Sequence, residues 1–188
     1  MKNSKFTSLV LIISIYAIFS GLIVSIGFAG VSTPPIPFKD EGACPFECCV
    51  YREWFARKEI NILRDRKKDS LVTFKIKKGD RVIALTGVVI TLRPGRVKVL
   101  KSVSIGKLMA NKGDIVYLLT YRGEGFFKVW FKGEIIDSVG VYGLDTNQGI
   151  FEIIESPESI WWVKVKNSKG QIGWSDRPED FDNKDACG

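Results

Sequence analysis

Between Glu59 and Ser175 apolar residues recur at every second position, and this alternation constrains the fold more than any other feature of the chain. A period of two belongs to a strand with one buried face, whereas a helix repeats every 3.6 residues. In "LVTFKIK" (71–77) Val72, Phe74 and Ile76 fall on one side and Thr73, Lys75 and Lys77 on the other. "RVKVL" (96–100) alternates in the same way, and "FFKVWF" (126–131) and "WWVKVK" (161–166) are rich in the aromatic and β-branched residues that strands favour. Turn residues separate these runs at Lys78-Gly79-Asp80, Arg93-Pro94-Gly95, Gly123-Glu124-Gly125 and Asn167-Ser168-Lys169-Gly170. Short strands with turns this frequent predict an all-β chain built of small antiparallel barrels or sandwiches. No stretch after Val31 reads as a long helix. "CCVYREWFARKE" (48–59) reads as a helical turn or two, residues 137–149 as a long inserted loop, and residues 177–181 as a tight terminal turn.

The chain also repeats itself. "KGDRVIALTG" (78–87) returns 34 residues later as "KGDIVYLLTY" (112–121), with Lys78/Lys112, Gly79/Gly113, Asp80/Asp114, Val82/Val116, Leu85/Leu119 and Thr86/Thr120 in agreement. The unit is a turn followed by an alternating strand, with glycine at a position whose backbone angles other residues avoid.

The first 30 residues stand apart. Lys2 and Lys5 precede an uncharged, mostly apolar stretch that ends in Gly27-Phe28-Ala29. That is the order of a secretory signal, although the uncharged run from Phe6 to Val31 is also long enough for a membrane anchor. Both readings place residues 31–188 outside the cytoplasm. The whole chain carries 28 Lys/Arg against 21 Asp/Glu, and without Lys2 and Lys5 the net charge is +5. Residues 57–112 are strongly basic (16 Lys/Arg, four Asp/Glu), whereas residues 113–188 are acidic (eight against 13). In a cytosolic chain the basic half would suggest nucleic acid. For an exported one it implies an anionic surface, an acidic protein face, or a solvated face that aids solubility. Charge and repeat together divide the chain: a cysteine-bearing segment (31–55), a basic β subdomain (56–105), a second β subdomain (106–183) holding the loop 137–149, and a tail (184–188).

Four cysteines, Cys44, Cys48, Cys49 and Cys187, lie at the two ends of the exported portion. An even count outside the cytoplasm implies disulfides. Adjacent cysteines rarely reach the required geometry, so one of Cys48 and Cys49 is expected to join Cys44 and the other Cys187. The long bridge would close a loop of about 139 residues, with a chain-entropy effect of roughly 5 kcal/mol. A four-thiolate zinc site is the rival reading, but the paired short knuckles of such sites are missing. The C-x₃-C-C spacing also lacks the C-x-x-C of redox-active pairs.

The sequence has no histidine, which removes Ser-His-Asp and Cys-His arrangements and the commonest metal ligand. The acidic runs Glu152/Glu155/Glu158 and Asp176/Glu179/Asp180/Asp182 do not match a calcium loop, and there is no glycine-rich phosphate loop. The chain therefore reads as a binding protein, with neither catalytic residues nor a cofactor or metal.

The wording Gly113-Asp114-x-Val116, then Gly125-Phe126-Phe127-Lys128-Val129, then Gly170-Gln171-Ile172-Gly173-Trp174 resembles bacterial SH3-like (SH3b-type) domains. The likeness covers residues 106–181, and 56–104 less fully, because the first copy lacks a Gly-Trp ending. The cysteine-bearing opening "DEGACPFECCVYREW" is similar to that of exported bacterial proteins of this kind. The resemblance implies SH3-like barrels, two in tandem after an N-terminal apolar helix. It also implies a role in binding extended peptides or wall components across an aromatic surface. The partner would be a cell-envelope component or an envelope protein. A structural or accessory subunit of an envelope complex, or an accessory domain of a weak hydrolase, are the alternatives.

Tyr121, Phe126, Trp130, Trp161, Trp162 and Trp174 are the aromatic candidates, and Tyr121, Trp130 and Trp162 are read as the ligand-binding set. Alternation assigns Trp161 to the face of Val163 and Val165, inward. Trp162 goes to the face of Lys164 and Lys166, where it is either covered by the 137–149 loop or open to a ligand.

Overall fold

Alternation on this scale produces strands, and the computed structural model, which describes residues 33–142 and 149–187, contains fifteen of them among those residues. In chain order they are β1 (Phe38–Glu41), β2 (Glu53–Ala56), β3 (Ile60–Leu63), β4 (Val72–Ile76), β5 (Arg81–Arg93), β6 (Gly95–Val99), β7 (Val103–Ile105) and β8 (Leu108–Ala110). Then come β9 (Ile115–Gly123), β10 (Phe126–Phe131), β11 (Glu134–Gly140), β12 (Phe151–Glu155), β13 (Glu158–Lys166), β14 (Ile172–Ser175) and β15 (Phe181–Asp182). The N-terminal segment, expected to be a signal or anchor helix, and residues 143–148 of the expected loop lie outside the described residues. The helical turns expected over 48–59 are replaced by β2, whose Trp54 and Ala56 alternate into a core. Residues 137–140 are not loop but continue β11, and Val141 beyond them is buried.

The strands form two main antiparallel sheets and a β7–β8 hairpin. The first sheet has the order β15-β2-β5-β13-β14-β3-β4, with β1 added along β5. It curls, because Phe181 at one end and Phe74 and Ile76 at the other share one core with Trp54, Ile62, Val82, Val163 and Val165. The second sheet has the order β11-β10-β9-β6-β12 and encloses Val97, Val99, Val116, Leu118, Phe127, Val129 and Phe131. The β7–β8 hairpin contributes Ile105 and Ala110 to that second core.

Two barrels following one another at residue 105 are not what this pairing shows. Residues 95–155 make the second sheet, and β13, β14 and β15 return to the first. The second unit is thus inserted between β5 and β13, which lie side by side from Arg93↔Glu158 to Ile83↔Lys166.

The two units share one plan. In the first, β2 pairs with β5, β5 with β13, β13 with β14, β15 with β2, and β3 with β4. In the second, β6 pairs with β9, β9 with β10, β10 with β11, β12 with β6, and β7 with β8. The repeated wording begins the same strand of each plan. Gly79 (φ 88°) donates to Ala56 O of β2 and Gly113 (φ 96°) to Val99 O of β6, in each case the strand that pairs with the one the repeat begins. Asp80 accepts from Lys77 N–H at 2.7 Å, and Asp114 from Asn111 N–H at 3.0 Å. Further on, the repeated Leu-Thr forms a bulge opposite a lysine. Leu85-Thr86 face Lys164, and Leu119-Thr120 face Lys128.

The nested order also relocates the Gly-Trp ending. Gly173-Trp174 lies in β14 of the first sheet, paired with β13 and, through Trp174↔Leu63, with β3. The first copy has its ending after all, displaced along the chain by the insertion. Its counterpart in the second unit is β11, and the likeness is audible in sequence. "KGQIGWS" (169–175) answers "KGEIIDS" (132–138) at Lys169/Lys132, Gly170/Gly133, Ile172/Ile135 and Ser175/Ser138.

Because Arg93 faces Glu158 across the ladder, replacing residues 94–157 by an Asn-Gly turn is expected to leave a cooperatively unfolding first unit with both disulfides intact. Circular dichroism with thermal melting and thiol titration checks this. A chain without a cooperative transition would contradict the nested plan.

Candidate functional site

The N-terminal cysteine segment is held down first. Cys44 joins Cys49, and Cys48 joins Cys187 across 139 residues. The tail runs against residues 48–56 through Ala186 N–H to Cys48 O, Val50 N–H to Lys184 O, and Phe181↔Ala56. Glu47 stands beside Cys48 and Cys187, but both sulfurs are consumed by disulfides, so this trio offers no thiolate to a metal. Beneath the clasp is an aromatic group the sequence did not reveal. Trp161 meets Phe46 at 5.8 Å and Trp54 at 6.0 Å, and Trp54 meets Phe181 at 5.6 Å. Tyr51 Oη donates to Ala43 O and accepts from Trp161 Nε1 at 3.3 Å. Gly87 lies under this polar chain, and a side chain there would land on Tyr51 Oη and Trp161 Nε1. Burial pushes the Tyr51 pKa up to about 12, against the smaller opposing effect of the Trp161 hydrogen bond.

The three aromatic residues expected to form a ligand surface are not brought together. Tyr121 packs on Phe127 at 5.1 Å on the inner side of the second sheet. Trp130 is half-buried on the outer side, in a row that crosses all five strands: Glu155, Arg96, Tyr117, Trp130, Ile135. Trp162 belongs to the first sheet, opposite Val88. Trp161 packs on the first core with Val163 and Val165, so the alternation reading of that strand is correct for it. Trp162, on the other face, is only 3% exposed and shows no open ring to a ligand.

A charged junction joins the two units, with Asp40 in the row of Val89 and Trp161. Asp40 of β1 is buried and accepts from Lys128 Nζ of β10 at 2.7 Å. Arg122 Nη2 of β9 stands 3.1 Å from the other oxygen of Asp40, within ion-pair range but off the hydrogen-bonding direction. Arg122 also grips Asp137 of β11 with two hydrogen bonds, at 3.0 and 3.1 Å. Burial works to raise the Asp137 pKa, yet the Arg122 hydrogen bonds and charge, with Lys128, hold it below the usual range. Thr91 of β5 donates to Leu119 O at 3.1 Å in the same junction. Asp40, Lys128 and Arg122 are largely withdrawn from water, Asp137 closes the group from the exposed side, and the two acids and two bases neutralise one another.

One pairing of the first unit has no counterpart in the second. Where β14 meets β3 in the first, the second leaves a recess of about 330 Å³ between the β7–β8 hairpin and β11. Val103, Ser104, Ile105, Ile136, Ser138 and Phe151 are among its walls. β11 pairs only with β10 among the described residues, so its other edge borders this opening.

Many basic residues of 57–112 meet the chain's own acids. Arg57 pairs with Asp182, Lys58 with the buried Asp180, Arg66 with Glu41, and Arg93 with Glu155 and Glu158. Lys67, Lys68, Lys77 and Lys78 are exposed and make no ion pair among the described residues.

No protein family, curated protein or solved structure matches the chain.

Two outcomes follow from this geometry. Removing the Lys128 charge leaves Asp40 buried with one cation fewer, so Lys128→Ala is expected to cost stability toward the lower end of about 3–5 kcal/mol, read from urea unfolding. An unchanged midpoint would show the junction to be solvated. Tyr51 is neutral over a wider pH range folded than unfolded, so its contribution is complete below pH 10.0 and is lost as pH rises toward about 12. Unfolding midpoints from pH 9 to 12 are expected to fall more steeply for the native protein than for Tyr51→Phe.

Proposed function

We propose that the protein is an exported, non-catalytic binding module of two SH3-like units that recognises cell-envelope material or an envelope protein through an extended segment. The observation that carries the reading is the open seam of the second unit. The same plan appears twice, closed by β14–β3 in the first unit and parted by a recess of about 330 Å³ in the second. A recess bordered by a strand edge suits an extended chain, whose backbone completes the ladder while its alternate side chains enter the walls. Val103, Ile136 and Phe151 supply an apolar floor, and Ser104 and Ser138 supply polar groups at the rim. The two disulfides are compatible with an oxidising extracytoplasmic compartment. Several carboxylates of the two acidic runs meet the chain's own cations. Glu155 and Glu158 hold Arg93, Asp180 holds Lys58 and Arg177, and Asp182 holds Arg57. The short curled sheets agree with the SH3-like wording of the sequence, which supports the family reading at the level of shape.

Co-sedimentation of the oxidised protein with isolated peptidoglycan and with envelope vesicles tests the proposal. Ser104 is exposed, so Ser104→Trp fills the recess without entering the core, and binding is expected to fall at least tenfold while the melting temperature holds. Binding untouched by Ser104→Trp, or no binding to either fraction, would remove the seam as the recognition site. Reversal of Lys67 and Lys68 to Glu, together with a salt series, separates a groove from mere attraction to an anionic surface, which fades with a Debye length of about 10 Å at 0.1 M.

A further inference from the structure

The internal duplication supplies its own comparison. The bulge face of the second unit is covered: Leu119 is 1% exposed, Thr120 is fully buried, and Lys128 binds Asp40. The equivalent bulge face of the first unit is open. Leu85, the partner of Leu119 in the repeat, is 40% exposed. Lys164, the partner of Lys128, is half-buried beside the Trp174 ring at 5.5 Å and has no carboxylate partner among the described residues. The next row across the strands is Ile83, Lys166, Ile172, with both isoleucines exposed. A recess of about 370 Å³ on Ile83, Lys166 and Arg81 adjoins it, and its one acid, Glu53, already faces Arg81 at 3.4 Å.

We propose that this face of the first unit docks an extended, carboxylate-bearing protein segment supplied by a partner. Lys164 takes the carboxylate that Asp40 presents to Lys128, and Leu85, Ile83 and Ile172 receive the apolar residues flanking it. Charge selects an acidic partner, because Lys164, Lys166 and Lys169 are all without ion pairs among the described residues. A half-buried lysine gains most from an anion that excludes water around it. This site lies on the first sheet and does not depend on the seam of the second unit.

The test uses the intact oxidised protein and a synthetic peptide of its own residues 36–42, Ile-Pro-Phe-Lys-Asp-Glu-Gly, which carries the acid pair of β1. A control peptide replaces the two acids by Asn and Gln. In a ¹⁵N-correlation titration the acidic peptide is expected to shift the amides of Leu85, Lys164 and Ile172 and the Trp174 indole. The control peptide, and the variants Lys164→Glu and Lys166→Glu, are expected to bind at least tenfold more weakly. Lys166 is exposed, so its variant keeps the test valid should Lys164→Glu fail to fold. No shifts, shifts confined to the second unit, or equal binding of the two peptides would overturn the proposal. So would concentration-dependent broadening of these resonances without peptide, which assigns the face to a second copy of the chain. Equal shifts with phosphatidylglycerol vesicles would assign it to a lipid surface instead.

Discussion

The antiparallel ladder between β5 and β13 is the constraint on which the rest of the molecule depends. It joins residues on either side of a complete folded unit, from Arg93↔Glu158 inward to Ile83↔Lys166. Val82, Ala84, Val163 and Val165 on its inner face fill the first core. Its outer face carries the Leu85-Thr86 bulge opposite Lys164, and its far end fixes both termini of the insertion. Closing a loop of this length costs entropy that grows only slowly with length. An insertion folded on its own core, with its ends held by Arg93 to Glu155 and Glu158, lowers that cost further. Dominance of such distant pairings over local ones implies slow folding for the chain's size.

Two devices cover the edge of β5 that faces away from β13. Along its first part β2 pairs with β5 and is itself backed by β15 and the tail, covalently held by Cys48–Cys187. Along its second part β1 pairs with β5 and sends Asp40 to the second unit and Glu41 to Arg66. A four-residue strand thus couples three parts of the chain through adjacent carboxylates. Its placement turns the nested units into one body, because Lys128 and Arg122 would otherwise face water on the bare outer side of the second sheet.

Strand character was legible from residues alone, because Val97/Val99 and Val163/Val165 alternate with lysines and arginine that have to face water. The repeat was legible too, since Gly79 and Gly113 serve the same turn and Asp80 and Asp114 accept equivalent hydrogen bonds. The nesting was not. Linear order puts Gly173-Trp174 after the second copy, and nothing in its local wording says that β13 and β14 pair backward across the insertion of residues 94–157 with β5 and β3. Alternation left Trp162 on the lysine-bearing face either covered or open, and at 3% exposure it is covered; period two assigns a face but does not say whether another layer lies on it. The seam was hidden because it is the lack of a pairing, and only the closed counterpart in the first unit makes it visible.

Nested and tandem arrangements assign different partners to the same strands, and cross-strand proton contacts in the oxidised protein distinguish them. Nuclear Overhauser spectra are expected to connect Trp162 with Val88 and Trp174 with Leu63, and Phe151 with Val99. Contacts of β13 and β14 with β9 or β10 in their place would make residues 106–183 a self-contained unit and contradict the nested duplication.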